Sequence, residues 1–249
     1  MSYSTKKYLS FDRTEQRDLG ITILVLAFIL SFTSWGVETF DAQIGLRQLI
    51  LTILLVGVSL TAKLVTQKWL GIRVGIHAEY KAWFTGLALG VFFIFMTNGR
   101  FFFLMIGGIM YGTIERLRIG RQYEISNKAL SWISFVGILS HIILAGLAKI
   151  FLGFGIFPEA VLRNFMGMNL WFALFSVLPI PLIHSFHKIS ANDGLTILYS
   201  SRMAYVATVL ITALSIGLIP FTSLLVGVFV TAAVTAMLWL GYYFYVENK

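Results

Sequence analysis

Residues Asn169 to Arg202 read NLWFALFSVLPIPLIHSFHKISANDGLTILYSSR. The opening of this stretch is apolar and aromatic, which predicts a helix. Pro179 and Pro181 then remove two amide donors and free the carbonyls of the preceding turn, so the helix is expected to break within 169–183. At bilayer depth, irregular backbone survives only where protein or a water-filled cavity satisfies it. The residues that follow are polar: His184, His187, Lys188, Asn192 and Asp193. Together with His141 and Ser176 they define a candidate polar pocket at membrane depth, where ionisable side chains mark functional sites by default.

The rest of the chain agrees with a membrane setting. Of its 249 residues 58% are hydrophobic and only 12% charged, and the mean hydropathy is +0.84. A soluble domain carries roughly 25% charged residues. No polar stretch reaches the roughly 50 residues of a separate soluble domain, so residues 1–249 are expected to form one membrane-embedded domain. The net charge of +8 fits basic residues flanking apolar spans better than it fits nucleic acid, which is not expected as a partner. The absence of cysteine excludes disulfides and thiolate metal sites.

Read in order, residues 1–18 carry Asp12-Arg13-Thr14-Glu15 with capping-box spacing and predict an interfacial segment. No cleavable signal peptide is expected. Spans are predicted over Leu19–Trp35 and Ile50–Leu64, with Lys63, Lys68, Arg73, Glu79 and Lys81 in an amphipathic surface segment over 63–81. Residues 82–112 are apolar and interrupted at Thr97-Asn98-Gly99-Arg100, which predicts a β-hairpin or re-entrant element. If instead 82–96 crossed, basic residues would divide almost evenly between the two sides. The re-entrant reading places all of them inside except Arg47, Lys149 and Arg163.

A span over Ala129–Leu152 presents Ser134, Gly137, His141 and Ala145 on one face, a close-packing stripe. An outer loop over 153–167 is expected next, then the proline-broken helix. Residues 203–249 predict a C-terminal pair of spans turning near Pro220, the last with Gly227, Thr231 and Thr235 on one face. The expected fold is a polytopic α-helical membrane protein with about six transmembrane helices. It would lie in the cell membrane with both termini cytoplasmic, the lipid bilayer being its first partner.

Several segments resemble the site-2 protease family of intramembrane zinc proteases. Asn169, Ala173 and Phe175, the run Leu178-Pro179-Ile180-Pro181, and later Asp193-Gly194 are similar to the family's N-x-x-x-A-x-F-N-L-L-P-I-P-P-L-D-G. Phe11 to Asp18 resembles the I-S-x-x-E-x-x-D of archaeal members. Lys63-Leu64-Val65-Thr66-Gln67-Lys68 is similar to the H-K-x-V-A-x-K that closes their HExxH helix, and Ala78-Glu79 with Trp83 to A-E-x-x-x-W. Ser134 to Leu144 resembles S-x-A-G-P-x-x-N-I-x-L. The resemblance covers most of residues 11–202, so residues 19–202 read as a protease-like core.

The departures fall on the chemistry that the resemblance implies. The HExxH frame lands on Val58, Ser59, Leu60, Thr61 and Ala62, without either imidazole or the general-base carboxylate. The Asn of the G-P-x-x-N segment is His141 and the Asn before L-L-P is Ser176. Asp193 follows Pro181 at a distance longer than in the family, and without an insertion the Asp frame falls on His184.

Two functional classes follow. One is a non-catalytic pseudoprotease binding transmembrane or extended segments of other membrane proteins, with no cofactor. The other is an intramembrane metalloendopeptidase whose zinc sits on a relocated site drawn from His184, His187 and Asp193 or His141. A small transporter or channel is a third reading, although no paired repeats are visible. His77 and Glu79 read as a surface feature rather than a metal motif, since no second His stands where HExxH requires it. The run Phe101-Phe102-Phe103 reads as lipid-facing bulk or as a grip on an extended segment, and Arg116, Arg118 and Arg121 as a headgroup boundary. Every Glu is expected in a loop or terminus, which argues against hydrolysis. The sequence is compatible with an oligomer.

Overall fold

The computed structural model describes residues 8–36, 40–113, 126–185 and 188–244, with backbone alone at 113, 183–185 and 188–190. Arg116, Arg118, Arg121 and His187 lie outside the described residues. Five described helices are long and apolar enough to cross a membrane: Arg13–Trp35, Ala42–Arg73, Asn127–Phe154, Glu159–Val177 and Leu224–Tyr242. The chain is a helical membrane protein, and it packs as two compact units.

The first unit comprises Met1–Ile125 and Ile180–Asn192. Helix α1 (Arg13–Ser31) begins at the expected capping box, in which Asp12 and Glu15 satisfy each other's backbone donors. A 3₁₀ turn (Phe32–Trp35) leads to α2 (Ala42–Arg73), whose N-cap Asp41 accepts from the amides of Gln43 and Ile44, both at 3.0 Å. Beyond Arg73 the chain turns out of α2 at Gly75, in left-handed backbone (φ 76°). Strand β1 (Ile76–Lys81) follows, then α3 (Phe84–Met96), and strand β2 (Gly108–Thr113) returns antiparallel to β1 with Tyr80 opposite Ile109. Residues 180–192 add a second two-stranded sheet, β3 (Pro181–Ser185) with β4 (Lys188–Ala191). Leu26, Ala27, Ile29, Val56, Leu60, Ile94 and Leu104 form its buried interior.

The second unit comprises Ser126–Pro179 and Asp193–Lys249. It contains α4 (Asn127–Phe154), α5 (Glu159–Val177), α6 (Asp193–Ser200), α7 (Arg202–Leu218) and α8 (Leu224–Tyr242). Lipid tails are as apolar as leucine, so helices in a bilayer associate through close packing and hydrogen bonds rather than through water exclusion. The stripe Ser134, Gly137, His141 and Ala145 is buried accordingly, as are Gly227, Thr231 and Thr235 on α8. Ile138, Ala173, Val177 and Ile197 form one apolar cluster, and Ala145, Ala148, Met166, Leu170 and Ile219 another.

Three expectations change. The outer loop shrinks, because α5 already starts at Glu159 behind Pro158, which sits at its N-cap. Residues 63–81 are not a surface segment: α2 runs on to Arg73, and Lys63, Gln67 and Lys68 are buried. No β-hairpin forms within 82–112. There the helix α3 satisfies its own backbone, Asn98 (φ 50°) and Gly99 (φ 79°) turn the chain, and the paired strands stand outside, over 76–81 and 108–113. Helix α5 stops just ahead of the two prolines that were expected to break it. It ends at Val177, Leu178 is extended, and Pro181 opens strand β3, because a residue before proline is pushed out of helical backbone. The first of the C-terminal pair, α7, is apolar but only 17 residues long.

Candidate functional site

Helix α2 carries residues 58–62, onto which the resemblance to site-2 proteases would place an HExxH frame. Val58 is 55% exposed, while Ser59 and Leu60 are buried at 0% and 1%. The Ser59 hydroxyl donates back to the Leu55 carbonyl at 3.0 Å. Positions 58 and 62 share one helical face, as two zinc-binding imidazoles would need. Val58 and Ala62 supply no donor atom there, and Ser59 supplies no carboxylate to take a proton from bound water. The frame does not fit a zinc ion.

One turn further along α2 the character changes. Lys68 Nζ lies 2.7 Å from Glu15 Oε2 on α1, with side-chain exposures of 2% and 1%. The ammonium also donates to the Ser10 carbonyl at 3.1 Å and stands 4.5 Å from the centre of the Phe11 ring. Glu15 accepts from the amide of Tyr80 at 2.8 Å and from that of Asp12 at 3.1 Å. One turn on, Asp18 accepts from the amide of Ala82 at 3.3 Å. Residues 80 and 82 are two apart and present their amides to the same strand edge, while 15 and 18 are three apart and share a helix face. The two carboxylates therefore occupy the edge of β1 that faces away from β2.

The Tyr80 hydroxyl is buried 2.8 Å from Thr22 Oγ1 and hydrogen-bonds the Ile106 carbonyl. Burial pushes its ionisation far above the ordinary phenol range, so it stays neutral. Gly107 (φ 97°) is required beside it, because a Cβ there would stand 2.6 Å from the Lys81 carbonyl oxygen. Glu15 and Asp18 were legible as part of a motif, but their burial was not. The expectation that every Glu lies in a loop or terminus fails at Glu15 in α1, Glu79 in β1 and Glu159 in α5. A Glu and a Lys 53 residues apart carry no local signal of pairing, and Lys68 looked like ordinary surface charge.

In the second unit His141 Nδ1 lies 3.0 Å from Asn169 Oδ1, and the Asn169 amide donates to the Phe165 carbonyl at 2.9 Å. Both residues are wholly buried, and the His141 ring lies 5.4 Å from that of Phe172. This pair links α4 to α5. Ser176 is buried on α5, and Asp193 is buried as the first residue of α6. Gly194 approaches the end of α5 so closely that a Cβ would stand 2.1 Å from the Val177 carbonyl oxygen.

Asn192 and His184 belong to the first unit. Asn192 Oδ1 accepts from the amide of Ile180 at 3.3 Å, bridging the bases of β3 and β4, while His184 is described by backbone alone. Among the described residues no three His, Asp or Glu side chains converge as metal ligands. Phe101 and Phe103 pack on Phe93 of α3, at 5.7 and 5.8 Å, so part of that run is interior packing.

The chain resembles a known archaeal protein. It is 26% identical over 180 residues to a Methanocaldococcus jannaschii protein provisionally described as a zinc metalloprotease, covering 69% of this chain and 81% of that relative. No family model matches the chain, and no solved structure matches it significantly. The chain is thus similar to a protein described as a metalloprotease, while its residues 58–62 include no His, Asp or Glu.

Proposed function

We propose that this chain is a site-2-protease-like membrane protein without proteolytic chemistry, a pseudoprotease that binds segments of other membrane proteins. The observation that carries the reading is the α2 frame: Val58, Ser59 and Ala62 stand where two imidazoles and a carboxylate would be needed. Two features, one in each unit, support retention of a protease-like scaffold. Glu15 and Asp18 still anchor strand β1, and Gly194 still lets α6 start against the end of α5. Strand β2 keeps an edge not paired with β1, to which an extended segment can add by backbone hydrogen bonds.

In the membrane we place six spans, counting α7, with both termini cytoplasmic and in the cell membrane. Residues 82–107 form a re-entrant element, supported by the pairing of β1 with β2, which brings both of its ends back to one place. The relative's description favours one alternative, an active metalloendopeptidase that holds zinc through His184, His187 and Asp193 or His141.

Elemental analysis of the detergent-purified protein, beside a His184→Ala/His187→Ala variant, separates the two. The pseudoprotease reading expects no stoichiometric metal in either sample. Near-stoichiometric zinc in the parent that disappears in the variant refutes it and makes substrate cleavage the next assay.

A further inference from the structure

Within the second unit a cavity of about 610 Å³ opens between α4, α7 and α8. Lys128, Ser131, Ser201 and Trp239 line it at the helix ends, and Phe135 and Ile211 line it further along the helices. Three helix ends meet there, at its mouth. Lys128 is the second residue of α4, Ser201 is the N-cap of α7, and Trp239 lies in the last turn of α8. For α4 and α8, which are of membrane-spanning length, this level is the bilayer interface, where Trp and Lys concentrate. A second, apolar cavity of about 440 Å³ shares Ile211 and extends along the same three helices as far as Ile150 of α4. From residue 128 to residue 150 a helix rises roughly 33 Å, close to the thickness of a hydrocarbon core.

The mouth is built for an anion. Lys128 is exposed and, among the described residues, forms no ion pair. The Ser201 oxygen accepts from the Ala204 amide at 3.2 Å, which leaves its own proton free to donate. At this level the positive ends of the α4 and α7 dipoles meet the negative end of α8, two against one, and the Lys128 charge adds to the positive side. Below the mouth the walls turn apolar, so a ligand must carry negative charge at one end and a hydrocarbon chain at the other. We propose that this groove binds one anionic phospholipid, its phosphodiester held by Lys128, Ser131 and Ser201 and one acyl chain lying past Phe135 and Ile211 into the apolar continuation.

The test is native mass spectrometry of the full chain released from vesicles containing equal phosphatidylglycerol and phosphatidylcholine with identical acyl chains. The wild type is expected to retain the anionic lipid about tenfold over the zwitterionic one, the ratio that one charge-assisted contact supplies. Lys128→Ala, on an exposed residue, should bring the ratio near parity, while Arg100→Ala, which removes an exposed charge elsewhere, should leave it unchanged. Ala207→Phe, which fills the groove, should lose both lipids. Equal retention by the wild type, equal effects of the two charge removals, or undiminished lipid on Ala207→Phe each overturns the site. So does a second protein copy recovered in place of lipid.

Discussion

Replacing Glu15 by Ala removes the acceptor of three donors at once: the Lys68 ammonium at 2.7 Å, the Tyr80 amide at 2.8 Å and the Asp12 amide at 3.1 Å. Lys68 would keep the Ser10 carbonyl and the Phe11 ring but would be a charge 2% exposed without a counterion. Breaking a buried pair from one side costs about 3–5 kcal/mol, because the remaining charge stays out of water. Lys68→Met is expected to cost less, about 2–3 kcal/mol, since the Glu15 carboxylate would keep both amides and the methionine would fill the same space. The double variant Glu15→Ala/Lys68→Met should then be more stable than the two single costs sum to, with a coupling of at least about 1.5 kcal/mol. The assay is a double-mutant cycle on unfolding in mixed dodecylmaltoside and SDS micelles, with Arg100→Ala as the exposed-charge control. A Lys68→Met cost no larger than that of Arg100→Ala, or a coupling within about 0.5 kcal/mol of zero, would refute the buried-pair account.

Other consequences are open to measurement. His141→Leu removes the bond between α4 and α5 and should destabilise the second unit by about 0.6–1.7 kcal/mol, with most of that effect absent in an Asn169→Leu background, measured by the same unfolding cycle. Gly194→Ala places a methyl 2.1 Å from the Val177 carbonyl oxygen, against main chain that cannot rotate away. It should cost about 3 kcal/mol or more or prevent accumulation of folded protein, and wild-type stability in that variant would mean that α6 does not start against α5. The Arg13 amide and the Thr14 hydroxyl hold the Asp12 carboxyl below its ordinary value of 3.8. The cap is therefore complete above that value and lost as pH falls through the lower folded one, and the protection of the amides of residues 13–16, relative to their intrinsic exchange rates, should drop only in that acid range. Lys81 is raised above its ordinary 10.5 by the Glu79 carboxylate 2.9 Å away. Its small contribution is present below that value and lost as pH rises through the folded one, and Glu79→Gln should erase that alkaline dependence in a melting series.

The membrane class, the positions of most spans and the end of α5 follow from composition, hydropathy and proline chemistry, which act within a few residues and need no partner. The capping box at Asp12, the small-residue stripe on α4 and the helix pair meeting near Pro220 are local in the same sense. The missing donors at residues 58–62 are likewise a property of the chain alone. Tertiary structure was needed wherever two distant segments meet. Asn98-Gly99 signals a turn, but only the pairing of residues 76–81 with 108–113 makes the apolar stretch between them a helix that turns and returns as extended chain. Lys68 reads as surface charge until α1 brings Glu15 against it, whereas mid-span His141 already calls for a hydrogen bond to a neighbouring helix, at Ser176 or Asn169, and the packing of α4 on α5 selects Asn169. Burial and partnership depend on which faces are brought together, and hydropathy along one segment carries no record of the segment that packs against it.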